Sequence, residues 1–578
     1  MFKERQIHRN YWEWVPKEDT RVLLFDIETD GLLDATTKIH CICCKDWLTK
    51  ETFSFRYDQM EEARVLLDSY DCLVAHNGLC FDAPVLEKLW HRTYRVFDTL
   101  TAARLIWTDI ADHDFSLIRR RNLPVEFPKK LIGRHSLKAW GYRLGCYKGD
   151  YGEVTEDAWA HWSQEMQDYC EQDVEVLEKL YGTIMSKDYS PEALALEHEF
   201  QNVIFNQERV GVYFDKAKAI ELYSSIASSR DSLFRELQEE FQPKKVTEIF
   251  IPKRNNSVKG YIKGVPIERV SYIPFNPSSR EQIGERLIQL GWKPSVFTET
   301  GLPMVDEHIL AGLSYECCPK LIKYLELSKI IGMVGEGNQA WLKLVDGSSR
   351  IHGRVITNGA VTGRCTHNSP NLAQIPARGG FGHQCRELFC ADPNSPMSTM
   401  MGCDASGLEL RMLASYMARY DDGAYAKTIL EGDIHTANQQ AAGLPTRNDA
   451  KTFVYALMYG AGDAKLGSIL DPTGTERSQA TKGKKLREKF YKNIPALKRL
   501  TEDVQAAASK RKYLVGVDGR RLNIRSQHSA LNTLLQSAGA VMMKYATILF
   551  HEFAQEAGFV LGKDYIQVLH VHKQHCGQ

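Results

Sequence analysis

Two hydrophobic rhythms alternate along the first ~185 residues. Short apolar runs closed by polar turn residues, RVLLFDIET (21–29) and DCLVAHNG (71–78), predict buried strands. SLKAWGYRLG (136–145) and WSQEMQDYCEQDVEVLEKLYGTIM (162–185) carry the helical period. Strands alternating with helices predict an α/β unit. Residues ~190–242 are long and helical, as in SSRDSLFRELQEEF. The period then breaks. Over 243–270 stand seven Lys or Arg (244, 245, 253, 254, 259, 263, 269) against Glu248 and Glu268, with Pro, Gly and Asn between them, which predicts an exposed basic loop or hairpin. A helical stretch follows around 319–343. A mixed region begins near 351, and helices dominate 405–510. No repeat at a fixed period and no low-complexity tract is present.

The 578 residues suggest roughly three to five domains at about 100–200 residues each. A 43% hydrophobic and 25% charged composition excludes a wholly disordered chain. No apolar stretch of about 18 residues occurs, so no membrane span is expected, and MFKERQIHRNYWEWVPKEDT has no apolar core of a secretory signal. Lys plus Arg and Asp plus Glu both total 73, and the net charge is zero. A zero sum does not exclude nucleic acid, because acids gathered at metal sites and bases spread over DNA-facing surfaces also cancel. The 14 cysteines form no CxxC pair, and Cys41, Cys43 and Cys44 have the wrong spacing for a zinc knuckle. Reduced, buried thiols are expected.

Candidate chemistry starts with Asp26 and Glu28, two apart in an apolar strand and so on one face. Neighbouring carboxylates repel unless a cation lies between them, and Mg²⁺ prefers oxygen ligands. Asn77 and Asp82 follow in HNGLCFD. Tyr169 and Asp173 follow in YCEQD, spaced i and i+4 on one helix face. Four carboxylates from separate segments suit two divalent ions about 4 Å apart, with Tyr169 orienting a water. The alternative for each acid alone is a solvated surface position.

A second constellation opens at GCDASGLELRMLASYM (402–417), read as a strand running into a helix with Asp404 at the junction. RNDAKTFVYALMYGAG (447–462) then places Arg447, Lys451, Tyr455 and Tyr459 every four residues. Each step of four drifts about 40° around a helix, so the four share one face. Two cations and two rings on a face suit a triphosphate with a base attached. An ordinary amphipathic helix with snorkelling cations is the other possibility.

The ordered set DxE, NxxxxD and YxxxD resembles the three motifs of DEDD-type 3′–5′ exonucleases, in the subtype with Tyr in the third motif, over about residues 20–185. DASGLELR followed by RxxxKxxxYxxxYG resembles motifs A and B of family A DNA polymerases. GAVTGRCTHNSPNLAQIP (359–376), GDIHTANQ (432–439) and DGRRLNIRSQHSALNTLLQSAGA (518–540) are similar to the replicative polymerases of T-odd phages. The resemblance implies a multidomain α/β protein, with an RNase H-like exonuclease domain and a right-hand polymerase domain. The expected layout is exonuclease 1–187, thumb 188–350 with the basic insertion at 243–270, palm 351–410, fingers 411–515 and a second palm part 516–578. It implies Mg²⁺ (with Mn²⁺ as a substitute) on Asp26, Glu28, Asp82 and Asp173. A second pair of ions would sit on Asp404, assisted by the carbonyl of Ala405. Arg447, Lys451 and His435 would hold the incoming dNTP. Glu409 would reject ribonucleotides, Tyr455 would bear on dideoxynucleotide acceptance, and Tyr459 would stack near the templating base. Arg364 and Gln536 would contact the minor groove, whose degenerate acceptor pattern suits a sequence-independent enzyme. Implied partners are primer–template, single-stranded DNA, a thioredoxin-like processivity factor and a helicase–primase, in the cytoplasm of an infected bacterium.

One departure stands out. The family's motif C is His-Asp-Glu, and here YIQVLHVH (565–572) is followed by Lys573 and Gln574. A cation at 573 would repel Mg²⁺. HKQHCGQ is therefore expected to be a truncated or frame-shifted end of the second palm part. Two further readings stay open: a 3′–5′ exonuclease whose polymerase half only binds DNA, and an inert DNA-binding remnant.

Overall fold

The computed structural model describes residues 16–17, 19–120, 127–147, 149, 151, 158–395 and 398–571. Two compact units divide the chain: 1–209 with 355–367 and 402–578, and 210–354 with 368–401.

The first unit begins with a five-stranded sheet. Its strands are β1 (Val22–Thr29), β2 (Ile39–Asp46), β3 (Thr52–Arg56), β4 (Cys72–Ala75) and β5 (Val96–Asp98), in the order β3-β2-β1-β4-β5. β1 runs antiparallel to β2 and parallel to β4. The period of two along β1 explains its place. Leu23, Phe25 and Ile27 enter one core layer, with α1 (Met60–Asp68) and α2 (Asp82–Trp90) contributing. Val22 and Leu24 enter the other layer with Cys41, Cys43 and residues of α3 (Thr99–Ile106), α4 (Leu137–Leu144) and α5 (Gln164–Met185). On that second face β1 continues with Asp26 and Glu28, so one strand face turns from apolar to acidic partway along. Ser136 and Ser163 cap α4 and α5 through their side chains, at the starts the sequence predicts.

A buried polar cluster ties this sheet to later parts of the same unit. α6 (Pro191–Val210) packs Leu196, Phe200 and Ile204 against Val541 and Ile548 of the long helix near the C-terminus. Its Glu197 meets Arg520 at 2.8 Å and Lys544 at 2.6 Å, and Arg520 also pairs with Asp518 at 2.6 Å. All four are fully buried. The next residue, His198, accepts the Asp98 N–H at Nε2. α6 lies in the first unit, because its apolar face and its carboxylate are both satisfied there.

The second unit holds α7 (Lys216–Glu240) and α8 (Cys317–Ile331) around Leu237, Phe275, Leu287 and Leu321. Between them β6 (Lys244–Phe250) and β7 (Ile267–Ile273) form an antiparallel hairpin. Nearly all its residues are exposed, with the Arg269 guanidinium 3.4 Å over the Phe250 ring. Residues 368–401 fall in this unit, where Phe389 packs its ring on Phe214 and Trp341.

Six further helices lie in the first unit: α9 (Leu408–Asp421), α10 (Ile434–Ala442), α11 (Arg447–Met458), α12 (Glu476–Asn493), α13 (Pro495–Arg511) and α14 (Ala530–Glu556). They share a core through Leu413, Phe453, Phe490, Leu500 and Leu534. The strand expected before Asp404 fails. Residues 401–405 are irregular, because the segment finds no ladder partner among the described residues, and an unpaired extended segment is not a strand. Every described cysteine is a free thiol and most are buried, as expected.

Candidate active sites

The first site grows from β1. Asp26 is half-buried and Glu28 is buried, and their Cα partners on β2 are Cys43 and Cys41. α5 crosses this face with its stripe Met166, Cys170, Asp173, Val174 and Leu177. Cys170 Sγ stands 3.4 Å from the Asp26 carbonyl oxygen and 3.7 Å from its Oδ2. Donor atoms of Asp26, Glu28 and Cys170 all lie within 4.8 Å of one another. Burial, then hydrogen bonding with Cys41 and Cys43, pushes the Cys170 thiol well up, so it stands as a neutral S–H beside the acids.

Asp82 opens α2 and Asp173 lies on α5, three residues past Cys170; both are buried. Neither belongs to that close group of donor atoms. Tyr169 is half-buried, its ring 5.6 Å from Tyr151 and 6.2 Å from Trp159. The turn before Asp82 is pinned by Asp98, whose carboxylate accepts the N–H of Asn77 at 3.1 Å and of Leu79 at 3.3 Å while also capping α3. Gly78 is required there, since a Cβ would come within 2.6 Å of Ala75 Cβ and 2.8 Å of Val96. Two carboxylates at this spacing fit a divalent ion. Cys170 and Asp98 escaped the sequence reading, because both act through packing between elements.

The second site is built on α9, α10 and α11. Thr446 caps α11 and exchanges hydrogen bonds with Asp449, a reciprocal cap that starts the helix at Arg447. Along its face Arg447 is exposed, Lys451 half-buried and Tyr455 buried, and Tyr459 closes the helix. The rings of Tyr455 and Tyr459 are 6.3 Å apart, and His435 lies 6.4 Å from Tyr455. Burial, and then the Glu409 charge, push both tyrosine hydroxyls up. Glu409, near the start of α9, is buried and accepts from Arg364 Nη2 at 3.2 Å. Arg364, Glu409, Tyr455 and Tyr459 thus form one neighbourhood. Gly460 has φ +78°, and a Cβ there would lie 2.4 Å from the His528 carbonyl oxygen, which explains a Gly directly after Tyr459.

Asp404 and Ala405 precede α9 in an irregular segment, Asp404 exposed. Gln536 lies on α14 and donates to Asn532 at 2.9 Å. Lys573 and Gln574, where a second carboxylate was expected, lie outside the described residues.

The family model for DNA polymerase family A matches residues 262–573, and that for the RNase_H superfamily matches residues 23–185. The chain belongs to DNA polymerase family A. It is similar to the DNA-directed DNA polymerase of Escherichia phage T7, 38% identical over 655 residues, covering 94% of this chain and 91% of the relative. It is also similar to that of Enterobacteria phage T3, at 39% with the same coverage. Among solved structures, the polymerase domain of Pol1 from M. smegmatis, in complex with DNA primer-template and dNTP, shares the fold. Its TM-score is 0.66 at 17% identity, over 95% of this chain and 88% of that one.

Proposed function

We propose that this chain extends a DNA primer on a template and removes mispaired 3′ ends with its RNase H-like domain, in the cytoplasm of a phage-infected bacterium. The observation that carries the reading is the graded face of α11 beside the Arg364–Glu409 pair. Its cations, exposed Arg447 and half-buried Lys451, stand at one end, and its rings, buried Tyr455 and exposed Tyr459, at the other. That order matches a nucleotide's own order from phosphates to sugar to base.

In this reading Arg447, Lys451 and His435 take the triphosphate, Glu409 crowds the sugar, and Tyr455 and Tyr459 border the base. Arg364 and Gln536 read the minor groove of the primer–template. The primer 3′-OH attacks the α-phosphate in line and pyrophosphate leaves. Asp404 with the Ala405 carbonyl would hold ions at this centre, and Asp26, Glu28, Asp82 and Asp173 would hold them at the other. Magnesium bound there would lower the charge cost of phosphoryl transfer. Tyr169 would orient the attacking water in the nuclease. A second reading rests on Lys573. A cation in the place of a metal-binding acid favours degradation of single strands without extension.

Primer extension and single-strand degradation, each with Mg²⁺, separate the two. Extension supports the first reading, and degradation alone supports the second. DNA binding with neither activity would overturn both.

The hairpin belongs to the same picture. Lys253, Arg254, Lys259 and Lys263 lie in its exposed connection, and a basic loop on duplex phosphates slows dissociation. Replacing all four by Gln should lower the slope of log affinity against log salt by about 0.9 for each phosphate that the hairpin no longer neutralises. An unchanged slope would leave the hairpin off the DNA. A thioredoxin-like processivity factor and a helicase–primase are the accessory partners of this reading, and retention in a pull-down tests each.

A further inference from the structure

Arg447 already has an anion on its guanidinium. Asp433 is the cap of α10, accepting from His435 N at 3.0 Å, Thr436 N at 3.4 Å and Thr436 Oγ1 at 2.9 Å. The same carboxylate takes Arg447 on both oxygens, Nε to Oδ2 at 2.7 Å and Nη2 to Oδ1 at 3.1 Å. This is the two-pronged fork that guanidinium also makes with phosphate. Among the described residues no other acid forms an ion pair with Arg447. The side chains are 51% and 44% exposed, so a solute anion can reach the pair.

We propose that Asp433 is the resident counter-ion of Arg447, a placeholder that the phosphates of an incoming nucleotide must displace. This rests on the reading of Arg447 as a phosphate-binding residue. The carboxylate carries one charge and two oxygens. A triphosphate tail carries more of both than a monophosphate, which has about two charges and three free oxygens. Exchange therefore favours the triphosphate. The hydrogen bonds to the Asp433 carboxylate also hold Arg447 at a set position between α10 and α11 before the nucleotide arrives. Hydrogen bonding with Arg447 and Thr436 holds the Asp433 carboxyl well below the usual carboxylate range, so protonation does not empty the slot at neutral pH.

The test is nucleotide affinity, measured by calorimetry with the full chain and with dTTP, dTDP and dTMP as probes. Asp433→Asn keeps the size and the helix cap and removes the charge. Asp433→Ser is a second uncharged cap that guards against a local packing effect. Both should tighten dTTP binding by roughly two- to five-fold, the range expected of an exposed ion pair. They should also narrow the preference for dTTP over dTMP, and neither effect should appear in an Arg447→Ala background. If Arg447→Ala weakens binding but the Asp433 variants leave it unchanged or weaken it, Asp433 is not a competitor and the proposal fails while the assignment of Arg447 stands. If Arg447→Ala leaves binding unchanged, the assignment of Arg447 itself falls and takes the proposal with it.

Discussion

Replacing Asp26 and Glu28 together by alanine should lower single-strand degradation at least about 10³-fold with Mg²⁺ present, a loss of several kcal/mol of charge stabilisation. The two side chains share one face of β1 and lie with Cys170 inside a 4.8 Å group. Removing both leaves no carboxylate in that group, and the neutral, deeply buried Cys170 thiol is a poor partner for a hard cation. Binding of primer–template and dNTP should be unchanged, since α9, α10 and α11 have their own core. Degradation is measured on a labelled single strand, with Mg²⁺ withdrawal by chelator as the parallel control. Degradation that persists at the parental rate would move the nuclease site elsewhere.

The second large effect is on stability. Lys544→Ala should destabilise the first unit by about 3–5 kcal/mol, the cost of leaving a buried charge cluster unbalanced. Lys544 gives hydrogen bonds to both Glu197 oxygens and to the Thr357 carbonyl, all inside the core. Burial pulls the Lys544 amine below its ordinary range, and Glu197 restores part of that. Burial likewise opposes the Arg520 charge, but Asp518 and Glu197 more than offset it. Taking out Lys544 therefore unbalances a whole network of charges. Lys544→Met together with Glu197→Gln should recover much of the loss, because the charges then leave in a pair. Denaturant midpoints of the three proteins check this. A loss under about 1 kcal/mol in Lys544→Ala would mean that water reaches the cluster.

How far the sequence reading reached follows from which interactions are local. β1, α4, α5 and α11 begin within a residue or two of their predicted starts, because alternation, Ser caps and a Thr–Asp cap are properties of a few adjacent residues. Asp26 with Glu28, and the four positions along α11, were legible for the same reason, since a fixed period puts them on one face. The strand expected at Asp404 failed because a strand is completed by a partner, which no local pattern supplies. Where α6 packs was not legible, because it looks like any amphipathic helix until the destination of Glu197 is known. A charge inside ALALEHEF, and another inside GAVMMKYATILF, were the available signals of a buried pair.

The sequence by itself determined the two candidate residue sets: an acidic strand face followed by Tyr and Asp on a helix, and a cationic–aromatic helix face behind Asp404. Both rest on dihedral periodicity, which each segment carries wherever it folds. Tertiary structure decided which elements meet those faces. It brought Cys170 to Asp26 across a separation of 144 residues and Arg447 to Asp433 across 14. It also gathered Glu197, Arg520 and Lys544 across more than 300 residues. Those meetings depend on how apolar surfaces of different elements fit and on which buried charges can be neutralised there, and neither is a property of any one segment.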